Sequence, residues 1–128
     1  MDHYFSTSLP GPFDAAVERV THALAGKGFG VLTTIDVQDT MKKKLGIDFK
    51  PYTILGACNP HYAYRALQLA DKIGMMLPCN VIVVESGPGK IEVSAIDPVA
   101  SMARMESPEL AELATTVSKL LKEVIAGL

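Results

Sequence analysis

The sequence predicts an α+β fold: a curved, mainly antiparallel sheet of about five strands, with a long C-terminal helix packed across one face. Two observations carry that prediction. Cys79 to Glu85 and Lys90 to Ile96 both read as strands, and Ser86-Gly87-Pro88-Gly89 between them is a turn, so the three segments form a hairpin. Beyond the hairpin, Leu110, Leu113, Val117, Leu120, Leu121, Val124 and Ile125 fall at helical spacing, in a stripe long enough to need a sheet beneath it. Strands in a hairpin followed by one long amphipathic helix argue against a doubly wound sheet.

The remaining elements follow in chain order. His3 to Leu9 alternates, with Phe5, Thr7 and Leu9 on one side, and Pro10-Gly11-Pro12 stops it. Phe13, Val17, Val20 and Leu24 make one apolar stripe of a helix that Gly26 and Gly28 end. Phe29, Val31, Thr33, Ile35 and Val37 alternate with Gly30, Leu32, Thr34 and Asp36, a second strand with one buried face. Asp39 is placed to cap a short helix from Thr40 to Leu45, with Lys42, Lys43 and Lys44 in its last turn.

Tyr52 to Cys58 is the third strand, and Gly56 within it marks a bulge or a close approach by another backbone. Asn59-Pro60 starts a helix, with Asn at the cap and Pro at the first helical position, and Gly74 ends it. Cys79 to Glu85 is apolar on both faces, which makes it a central strand. Ser107-Pro108-Glu109 opens the last helix with a cap, a proline and an acid in the right order.

Bulk properties narrow the function classes. A chain of 128 residues reads as a single domain, 1–128, able to bury roughly two-thirds of its unfolded surface without disulfide or metal. A net charge of −2 gives no electrostatic footprint for nucleic acid or an anionic membrane. Trp is absent and aromatics are scarce, which argues against a base-stacking surface. Apolar runs fall far short of the ~20 residues of a membrane span. The mean hydropathy is nevertheless positive, at +0.23, an excess that a homodimer would bury. Two cysteines and no secretory pattern point to a reducing cytoplasm and free thiols.

Chemistry concentrates between Tyr52 and Asn80, where both cysteines lie, each followed by asparagine: Cys58-Asn59 and Cys79-Asn80. If the third and fourth strands run antiparallel, the end of one lies beside the start of the other and the thiols share one edge of the sheet. A parallel crossover would instead put them about 15–20 Å apart. Cys58 also precedes a helix cap, where first-turn N–H groups lower a thiol pKa. The competing reading of each cysteine is a small buried hydrophobe.

Other constellations are weaker. His61 follows Cys58 by three residues, and Met75, Met76, Met102 and Met105 offer thioether donors suited to Cu(I). Two cysteines alone do not fill a zinc shell. His3, His22 and His61 are the available partners for a nucleophilic thiol, with a solvated position favoured for His22 and a helix-surface position for His61. Asp36 and Asp97 read as strand-end caps. No nucleophile-elbow, phosphate-loop or dinucleotide fingerprint occurs.

Several runs together resemble a known family: Asp36-Val37, Lys44 to Phe49 (KLGIDF), Pro51 to Pro60 (PYTILGACNP), Ile73-Gly74, Leu77 to Val81 (LPCNV) and Asp97-Pro98. They resemble domain of unknown function 302 (DUF302) along essentially the whole chain. The resemblance implies a small prokaryotic α+β domain, a fold similar to half of the TATA-box-binding protein, and a tendency to dimerise. It implies neither DNA binding nor any activity.

The sequence therefore leads to a small-molecule binding module, with Cys58, Asn59, Cys79, Asn80, Met75 and Met76 around its site. The alternatives are a thiol-redox or thiol-dependent enzyme or sensor, and a soft-metal (copper) binding protein. Neither a ligand nor a cofactor is named by these residues.

Overall fold

The central strand, β4 (Cys79–Gly87), organises the sheet in the computed structural model, which describes residues 3–128. The other strands are β1 (Tyr4–Pro10), β2 (Gly30–Asp36), β3 (Tyr52–Cys58) and β5 (Lys90–Ile96). Their spatial order is β1-β5-β4-β3-β2, with every neighbouring pair antiparallel. The sheet is curved and open. The helices are α1 (Phe13–Gly26), α2 (Val37–Leu45), α3 (Pro60–Leu69), α4 (Pro98–Ser101) and α5 (Pro108–Ala126), with 3-10 turns at Asp71–Met76 and Ala103–Met105.

Alternation fixes which face is covered. Val81 and Val83 of β4 and Ile91 and Val93 of β5 are 0% exposed. They join Leu55 of β3, Val20 and Leu24 of α1, and Leu121, Val124 and Ile125 of α5 in the larger core. Burying each such side chain is worth about 1.5–3 kcal/mol. A one-residue slip between strands would turn the whole row to solvent, so this row holds the register. A smaller cluster of Ala66, Ile73 and Leu110 gathers Leu69, Leu77, Met102 and Leu113 around it.

α1 and α5 leave the opposite face uncovered. One row across it runs Ile35, Ile54, Ile82, Ser94 and Ser6 in register. Ile35 is 46% exposed there, and the Ser6 and Ser94 hydroxyls share a hydrogen bond of 2.9 Å.

β2 departs from the expected alternation. Its register with β3 shifts between Val31 and Thr33, leaving Leu32 as the extra residue and 68% exposed. The bulge moves Thr33 and Ile35 to the open face, while Phe29 and Val31 stay with the core. Gly56 explains where the bulge is accommodated. A Cβ on Gly56 would run into the Thr33 hydroxyl and come within 2.7 Å of the Pro78 ring. The expected close approach at Gly56 is thus made by two side chains rather than by another backbone.

Helix ends show two further differences. α2 starts at Val37, and its cap is Asp36, whose Oδ1 accepts from the Asp39 N–H at 2.9 Å. Asp39 lies in the first turn and pairs with Lys43 at 2.8 Å. α3 stops at Leu69 rather than near Gly74, because Ala70 is extended and the chain re-forms as a 3-10 turn. That turn carries Ile73 into the smaller core. Asp97 caps α4 through the Val99 N–H, and Ser107 caps α5 through the Leu110 N–H.

Replacing Gly56 with alanine forces Thr33 to rotate and Pro78 to shift. We expect Gly56→Ala to cost about 1–3 kcal/mol in urea unfolding, and Thr33→Ala in that background to recover only part of it, since Pro78 still crowds the new methyl.

Candidate functional site

β3 ends at Cys58 and β4 begins at Cys79, and their antiparallel register pairs Ala57 with Cys79. The two cysteines are therefore neighbours at one end of the sheet, both as free thiols. The intervening chain, α3 and its 3-10 turn, makes the return that an antiparallel pairing requires.

A cavity of about 40 Å³ lies at this end of the sheet. Ala57, Cys58 and Cys79 contribute from the strands, Tyr62, Ala63 and Ala66 from α3. Leu110, Leu113, Ala114 and Val117 of α5 close it from above, and Met102 contributes from the chain before α5. Tyr62, Ala63 and Ala66 share one helical face, and the apolar stripe of α5 continues past the larger core to reach them. Among the described residues no charged side chain lines the cavity. Its hydrogen-bonding side chains are Asn59, Tyr62 and the two thiols. The volume equals room for about three water molecules.

Asn59 occupies the cap position of α3, but its side chain makes no capping bond. Its Nδ2 instead donates to the Lys27 carbonyl at 3.4 Å, a long bond that reaches the α1–β2 turn. Gly28 makes this possible: its φ is +86°, and a Cβ there would approach Asn59 Nδ2 to 3.0 Å.

Electrostatics runs against thiol activation. Burial raises the Cys58 pKa above its usual value. Cys79 is pushed up to about 11, first by burial and then by the neighbouring Cys58. The lowering expected from the start of α3 is outweighed by desolvation. Both thiols are therefore protonated at neutral pH.

The other sequence-derived candidates sit elsewhere. Asn80 points to the open face of the sheet, beside Tyr4, Ile82 and Glu92, because alternation sends it opposite to Cys79. Met75 is 81% exposed, and Met76 is exposed beside it. The 3-10 turn that directs Ile73 inward leaves both outside the cavity wall. His3, His22 and His61 are exposed. Among the described residues no three His, Cys, Asp or Glu side chains gather as a metal site. The soft donors lining the cavity are Cys58, Cys79 and Met102. Tyr62 and Ala114 were not singled out from the sequence; a polar-tipped aromatic one turn after Cys58 was the available signal for Tyr62.

A family model described as "Domain of unknown function DUF302" matches residues 5–128. An uncharacterized protein of Aquifex aeolicus (strain VF5) is 26% identical over an alignment of 117 residues that covers 89% of this chain and 75% of that protein. The crystal structure of an uncharacterized conserved DUF302 protein from Bacillus stearothermophilus superposes with a TM-score of 0.88 at 29% identity, covering 97% of this chain and 96% of that one.

The buried thiol makes stability depend on alkaline pH. Folded Cys79 keeps its proton up to about pH 11, whereas an unperturbed thiol releases it near 9.0. Its stabilising contribution is complete below pH 9 and is lost as pH rises towards 11. Two pH units correspond to a loss on the order of 2–3 kcal/mol. Urea unfolding of wild type and Cys79→Ala across pH 8–11 is expected to show a steeper decline in wild type, the variant keeping only the part due to Cys58 and other groups.

Proposed function

The chain belongs to the DUF302 family, and we propose that it is a binding module for a small, uncharged, largely apolar ligand. The observation that carries the proposal is the cavity at the joined ends of β3 and β4, with apolar walls, few hydrogen-bonding groups and no charged side chain. A buried ion without a partner costs several kcal/mol, so such a wall selects against charged molecules. Apolar contact drives binding at about 25 cal/mol per Å² removed from water. Asn59 and Tyr62 supply orientation for one polar group.

A cytoplasmic homodimer completes this reading. Free cysteines fit a reducing compartment. The row Ile35, Ile54 and Ile82 on the uncovered face supports self-association, since it gives the positive mean hydropathy a surface to act through. A curved antiparallel sheet with helices on one face fits the likeness to half of the TATA-box-binding protein. The charge balance supports no DNA-binding role.

The adjacency of Cys58 and Cys79 favours a second reading, in which the thiols act as a redox pair. Each gives up a proton and an electron to an oxidant such as diamide, and a disulfide forms. Their raised pKa values weigh against it. A copper-binding version uses the same thiols with Met102 and requires both to lose their protons.

Binding is tested with 1-propanol as a neutral probe of about the cavity's size. Amide NMR shifts are expected along Ala57–Ala66 and Leu110–Val117, and Ala66→Leu, which fills the cavity, is expected to weaken binding at least tenfold. Shifts scattered over the surface, or unchanged by the filled variant, would remove the proposal.

A further inference from the structure

The cavity does not stop at Met102. A groove of about 430 Å³ lies beyond it, between the chain from Val99 to Pro108 and α5. Met102 and Ala114 belong to the walls of both spaces. The groove is thus about ten times larger than the 40 Å³ cavity it adjoins. Its base on α5 is made of small residues, Ala111 and Ala114, so the helix leaves room along its surface. Val99 and Ala103 add apolar wall, while Glu106, Ser107 and Thr115 supply polar groups.

The backbone at Met102 is held by hydrogen bonds, and its side chain packs at the edge of the smaller core. The Met102 N–H donates to the Pro98 carbonyl at 2.9 Å, and the Met102 carbonyl accepts from Met105 at 3.1 Å. The half-buried side chain is an unbranched thioether with three rotatable bonds, a shape that changes rotamer without displacing its backbone.

We propose that Met102 is a movable partition between cavity and groove, and that the ligand is a straight-chain neutral amphiphile. Its polar end lies at Asn59 and Tyr62, and its hydrocarbon tail passes Met102 to lie over Ala114 and Ala111. This rests on the binding reading given above and extends it from a ligand of about four heavy atoms to one of about nine. An unbranched tail is the shape that a displaced methionine side chain admits. The absence of charge in the cavity wall excludes a carboxylate or ammonium head.

The test is a titration of the full chain with primary alcohols from ethanol to octanol, followed by amide NMR. Affinity is expected to rise about fourfold per methylene, continuing beyond propanol through octanol. Shifts at Ala111 and Thr115 are expected only with butanol and longer. Ala111→Leu, at an exposed position, is expected to remove the gain beyond propanol. A plateau at propanol in wild type would overturn the partition and leave the binding reading standing. A chain-length gain that Ala111→Leu leaves intact would also overturn it. Failure of every alcohol to bind would remove the binding reading, and this proposal with it.

Discussion

The antiparallel pairing of β3 with β4 is the constraint on which the molecule depends. It places the centre of the sheet, since β4 joins β3 to β5. It also brings together two sequence segments separated by a helix and a 3-10 turn. Ala57 opposite Cys79 is a consequence of the register that buries Leu55, Val81 and Val83 against α1 and α5. The thiols are neighbours because the larger core is where it is. No interaction between the thiols themselves is needed to hold them there.

Burial also sets the character of the site. A helix start offers a thiol partial positive charge, worth roughly 0.3–1 kcal/mol near a surface. Removing a thiolate from water costs more than that at Cys58, which precedes α3, and burial raises Cys79 at the start of β4 as well. The same dry surroundings that quiet the cysteines suit an apolar guest. Asn59 is drawn away from capping α3 and leans on the α1–β2 turn, so the edge of the site is tied to an element far away in sequence.

Much of this architecture was legible in the sequence. The hairpin, the central strand and the stripe of α5 follow from period-two and helical spacing, which report burial directly. Gly56 signalled its crowded surroundings, although not what crowds it. Three features were not legible. The β2 bulge depends on how Thr33 fits against Gly56, a fact of pairing rather than of pattern. The early end of α3 follows from where Ile73 packs, with no proline or glycine at Ala70 to announce it. At the site, Cys58, Asn59 and Cys79 were found because a motif repeats there. Asn80, Met75 and Met76 were grouped with them by nearness in sequence, while strand alternation and the 3-10 turn direct them elsewhere. Tyr62 and Ala114 owe their positions to packing between helices, which a linear pattern does not express.

The cavity lies on the seam between the two hydrophobic clusters. Phe29, Ala57 and Cys79 belong to the larger, Ala66 and Leu110 to the smaller. The void interrupts dispersion contact just where the two must adhere. α5 runs through both, carrying Leu110 into the smaller and Leu121, Val124 and Ile125 into the larger. On the binding reading proposed above, a guest lodged in that seam would act as mortar, restoring contact across the gap without reshaping either cluster.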